Sequence, residues 1–208
     1  MADTKKQTVK IRDYRLYELE RIAADALRGA EVCVKGRRVN IERLILEKFK
    51  LKIESFANLR QRWDAYAFID TTARVIFMDA DLMNEDRFEK KYRFTLAEEL
   101  AHFLIHRELF INCHTAEDRL RIEDMLDEQT LLYMESNAKA LASAILMPKA
   151  CVEPLVESLA GKFVDAEGHI LVDKLASTLA EEYDVNVQAA KRRMRNLGYR
   201  QRLGLDLQ

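Results

Sequence analysis

RFTLAEELAHFLIH, residues 93–106, decides how this chain is read, because the run from 88 to 107 contains neither Gly nor Pro and can be helical throughout. Successive residues of an α-helix turn by about 100°. Glu98, His102 and His106, spaced by four, therefore form one slowly drifting row, and Glu99 lies beside it. Imidazole and carboxylate groups can thus share one surface of a central helix.

A second helical pattern runs from about Glu123 to Met147 and stops at Pro148. Its Ala138, Leu141, Ala142 and Ile145 form a small apolar face suited to close packing on the first helix. Between the two, ELFINCHTAEDRLRIED (108–124) reads as a polar surface connection. Upstream, LKIESF, AYAFID and ARVIFMD are short runs rich in β-branched and aromatic residues, with a hairpin expected across Asp70 to Ala73. DADLMNEDRFEKKY reads as a loop leading into the central helix. Two N-terminal helices are expected, in YRLYELERIAADALR and in NIERLILEKFK with Asn40 as cap. Three short helices follow residue 150, with Asp173 and Asn186 as caps and Gly198 as a stop. The expected fold is α+β, helices packed on a small antiparallel sheet, with a core over 1–160 and a helical extension over 161–208.

At 49% hydrophobic and 33% charged, the 208 residues can bury a real core, and six Gly with two Pro exclude low-complexity character. Lys and Arg number 34 against 35 Asp and Glu, so the chain has no general attraction for nucleic acid or anionic membrane. Cys33, Cys113 and Cys151 are odd in number and widely spaced, which suits free thiols in a reducing compartment. The charged N-terminus and the lack of a spanning stretch place the protein in the cytoplasm.

In an H-E-x-x-H helix two His bind zinc and the Glu between them takes a proton from the metal-bound water. Here Glu99 stands as the base, His102 as the second ligand and Glu98 in place of the first His. A carboxylate can bind Zn²⁺ through oxygen, but its negative charge makes the ion a weaker Lewis acid and shifts preference toward Mn²⁺. Glu135, on the second long helix, is the candidate third ligand.

RFTLAEELAHFLIH followed by ESNAKALASAILMP (135–148) resembles the ImmA/IrrE family of metallo-endopeptidases, whose pattern is roughly R-F-T-x-A-H-E-x-x-H-x-x-x-H and then E-x-x-A-N-x-F-A-x-x-L-L-M-P. The likeness extends over about residues 14–200. Two departures stand out: Glu98 replaces the first metal His, and Lys139 replaces the Asn of the second block. The resemblance implies a zincin-like fold, His102 and Glu135 as ligands of Zn²⁺, Glu99 as general base, and a protein substrate such as a transcriptional repressor. The alternative is a catalytically inactive pseudopeptidase that binds a protein partner.

His106 suits a packing or orienting role beside His102, and the adjacent Cys113 and His114 read as ordinary loop residues rather than ligands. The basic run of Lys191, Arg192, Arg193, Arg195, Arg200 and Arg202 reads as a solvated face that could dock an acidic partner, in preference to DNA binding. ARVIFMD is the expected edge strand for substrate binding by strand addition.

Overall fold

The computed structural model describes residues 11–30, 33–34, 38–164 and 170–199. Helix α1 (Leu16–Leu27) buries Leu19, Ala23 and Ala26 at helical spacing. A short antiparallel ladder, β1 (Cys33–Val34) with β2 (Arg38–Val39), leads to α2 (Ile41–Arg43), whose last turn continues as a π-helix over Leu44–Lys48. The Asn40 side chain caps it by accepting from the Arg43 N–H at 3.0 Å.

Strands β3 (Lys52–Phe56), β4 (Ala67–Asp70) and β5 (Val75–Asp79) form one sheet in the order β3-β5-β4. The β4–β5 hairpin is antiparallel and turns where expected, with Asp70 Oδ1 accepting from the Thr72 and Ala73 N–H groups. The sheet is mixed rather than antiparallel, however, because β3 pairs with β5 in parallel. Helix α3 (Leu59–Trp63) carries the chain between β3 and β4, so β4 runs on the outside and β5 returns through the middle. ARVIFMD is therefore the central strand, buried on both faces, and β4 and β3 are the edges.

Asp79 caps α4 (Ala80–Asn84), a short helix where a loop is expected, and a 3₁₀ turn at Asp86–Phe88 enters α5 (Glu89–Ile105). From Thr95 to Phe103 every α5 residue except Glu98 is buried, which marks a helix enclosed on nearly all sides. The stretch read as a polar connection and as the start of the second long helix is two helices: α6 (Ala116–Met125) and α7 (Glu128–Leu146). The break falls at Leu126, which is buried in extended conformation, and at Asp127, which caps α7 by accepting from the Thr130 N–H at 2.9 Å.

Ala138, Leu141, Ala142 and Ile145 of α7 are fully buried, and α5 and α7 pack side by side as their patterns require. Helices α8 (Lys149–Ala160), α9 (Val172–Tyr183) and α10 (Val187–Asn196) follow, with α10 lying against both α9 and α7. Asn186 caps α10 and Gly198 ends it at φ 76°, whereas Asp173 is not a cap: its carboxylate pairs with Lys191 at 2.8 Å. Part of the expected boundary, residues 165–169, lies outside the described residues, as do Arg200 and Arg202.

Candidate functional site

The central helix α5, α6, α7, α10 and the edge strand β4 enclose an open cleft of about 1060 Å³. Glu98, Glu99, His102 and Glu135, drawn from two helices far apart in sequence, all line it, as their spacing predicts. Glu98, the one α5 residue between 95 and 103 that is not buried, faces the cleft, while Glu99 and His102 are almost fully enclosed.

His102 Nδ1 lies 3.0 Å from His106 Nδ1, so one ring nitrogen donates and the other accepts. That contact fixes the His102 ring with Nε2 toward Glu135, at 3.6 Å from Oε1. Burial lowers the pKa of both rings, that of His106 to about 4, so both imidazoles are neutral near pH 7. His106 is thus an orienting partner of His102.

Cys113 and His114 do not join the cleft. Cys113 packs with Phe68 and Phe110 in a smaller apolar cluster apart from the main core, where burial pushes its thiol up to about 12. His114 Nδ1 pairs with Asp70 Oδ2 at 2.9 Å beside the β4–β5 turn.

The residue that sequence reasoning missed is Arg119, on the unpredicted helix α6. Its guanidinium donates through Nε to Glu123, through Nη2 to Glu135 Oε1 at 3.1 Å, and sits 4.3 Å from the Phe110 ring centre. Lys139 Nζ stands 3.7 Å from the other oxygen of Glu135. Two buried polar atoms on the cleft floor have no hydrogen-bond partner among the described residues: Arg119 Nη1 and Glu99 Oε2. A usable signal for α6 lies in T-A-E-D: Thr115 Oγ1 accepts from the Asp118 N–H at 3.1 Å while Asp118 Oδ2 accepts from the Thr115 N–H at 3.0 Å. That reciprocal cap marks a helix start without any apolar periodicity.

Glu98 and Glu99 both have pKa values raised to about 7, desolvation being the main cause, against the pull of Lys139 on Glu98 and of Arg119 on Glu99. A carboxyl that stays protonated in the fold up to about pH 7, but ionises near 4.5 when unfolded, costs stability as pH rises between those values. Glu99→Gln removes that loss. Relative to the parent it should gain up to about 3 kcal/mol at pH 8 and nothing at pH 4. Urea unfolding of both proteins at the two pH values checks this, and an equal shift at both would refute it.

A helical domain built on a small sheet, with a peptidase-type helix facing a Glu-bearing partner across a cleft, defines a metallopeptidase-like domain. The chain belongs to the peptidase family of the IrrE N-terminal-like domain, whose family model matches residues 41–195. No curated protein matches the chain. The family is one of zinc metallopeptidases. Among the described residues no three His, Cys, Asp or Glu side chains are grouped to hold a metal. Glu135 is instead committed to two cationic side chains.

Proposed function

We propose that the protein captures an extended segment of a regulatory protein in this cleft, and that a transcriptional repressor is the class of partner. The observation that carries the reading is the orphaned pair on the floor, the Arg119 Nη1 donor and the Glu99 Oε2 acceptor. A donor and an acceptor on one cleft floor can serve the C=O and N–H of a peptide backbone, and leaving them unpaired when buried is costly. The free edge of β4, with Tyr66, Ala67 and Phe68 on the cleft wall, supports backbone pairing with such a segment. Cations on the rim, Lys90, Lys91 and Arg192, favour acidic residues in it.

One observation favours the second reading, hydrolysis of the bound segment: a carboxyl with pKa near 7, such as Glu99, is poised to exchange protons at neutral pH. Trp63, the only tryptophan of the chain, lines the cleft and reports its occupancy. Peptides selected from a random display library are titrated against Trp63 fluorescence and then weighed by mass spectrometry, with and without added Zn²⁺. Saturable quenching with peptides recovered intact is the expected result. Peptides recovered in two pieces would establish hydrolysis instead, and a library that yields no binder would remove the capture reading.

A further inference from the structure

We propose that Arg119 is a resident cation which takes the electrostatic place of the family's metal ion, so that a guanidinium and a divalent ion exclude one another at this site. The cleft floor gathers four carboxylates, those of Glu98, Glu99, Glu123 and Glu135. In water such a cluster disperses; inside a fold it needs positive charge close by. Arg119 supplies it from an enclosed position, its side chain only 9% exposed, with one edge on Glu123 and the next on Glu135.

Both oxygens of Glu135 already face cations. Glu135 Oε1, the oxygen nearest His102 Nε2, is the oxygen that accepts from Arg119. Glu135 Oε2 faces Lys139. A Zn²⁺ ion bound between His102 and Glu135 would lie beside a permanent positive charge and would displace its hydrogen bond. Arginine does not deprotonate to relieve that repulsion, as a lysine could. Both departures of the sequence from the family pattern point the same way. At 98 the imidazole that would ligate a metal is replaced by a carboxyl group, and at 139 a neutral amide is exchanged for an ammonium group that holds Glu135.

This inference does not depend on peptide capture, since its readout is metal content alone. The full chain, purified without chelator, is exposed to excess zinc chloride, desalted and analysed for zinc. The parent and Glu98→His are expected to retain far less than one equivalent, because Arg119 still occupies the site in both. Arg119→Met combined with Glu98→His is expected to retain about one equivalent, with an affinity higher than that of Glu98→His by on the order of a hundredfold.

One equivalent of zinc in the parent or in Glu98→His would overturn the proposal, as would a folded double variant that binds no more zinc than Glu98→His. Circular dichroism establishes folding. If the double variant does not fold, the zinc content of Glu98→His decides alone: near one equivalent overturns the proposal, and a trace supports it.

Discussion

Arg119→Met should lower the unfolding free energy by about 3–5 kcal/mol, measured by urea denaturation at pH 8. The guanidinium carries two charge-assisted hydrogen bonds, to Glu123 and Glu135, and stacks its charge on Phe110, whose ring in turn meets His102 edge-on with centroids 5.4 Å apart. Met fills part of the volume and restores none of the charge. Glu123 and Glu135 are each about a third exposed and can turn toward water, which limits their share of the loss. Glu99 cannot, being enclosed with one oxygen already unpartnered.

The loss should therefore depend on pH. Arg119 holds the Glu99 pKa down against burial, so without it the carboxyl rises further and keeps its proton to higher pH in the fold. The folded variant binds more protons than the unfolded chain over a wider range, and stability falls more steeply as pH rises. Arg119→Met should cost less at pH 5 than at pH 8. Arg121→Met, on the same helix but 77% exposed, should stay within about 0.5 kcal/mol at both values and serves as the control.

The parts of the site that were legible in the sequence share one property: each sits on a helix with its own internal signal. Glu98, Glu99 and His102 follow from spacing on α5, and Glu135 from the small-residue face of α7 behind it. Arg119 was hidden because α6 buries only Ala116 and Arg119 of its ten residues, so apolar periodicity cannot reveal it. The partners of Arg119 are also non-local, Glu135 lying on another helix, and no local rule anticipates a cation directed at them.

The sheet failed for a related reason. Alternation and hairpin signals identify β4 and β5, but parallel pairing of β3 with β5 depends on the α3 connection, whose five residues carry no strong pattern. Val75, Ile76, Phe77 and Met78 form an unbroken apolar run, which marks a strand covered on both faces and argues for the centre of the sheet rather than its edge.

Arg193→Met should cost about 3–5 kcal/mol, although the residue reads in sequence as one more charge on a basic helix. It is fully buried. Its Nε donates to the Met147 carbonyl at 2.8 Å and both terminal nitrogens meet the Glu20 carboxylate, Nη2 to Oε2 at 3.0 Å. One guanidinium thus joins α10 to α1 and to the carbonyl that ends α7. Methionine would leave a buried carbonyl and a mostly buried carboxylate without donors. Arg193→Lys should recover part of the loss, because an ammonium group can reach one acceptor but cannot match the planar fork that serves both. The effect should be local before it is global: α10 brings Asn186, Gln188 and Arg192 to the cleft rim, and the bridge to Met147 and Glu20 holds it there. Hydrogen exchange should accelerate in α10 of Arg193→Met while α5 and the core of α7 stay protected. Uniform acceleration across all helices would show that Arg193 stabilises the domain as a whole and does not hold this wall of the cleft in particular.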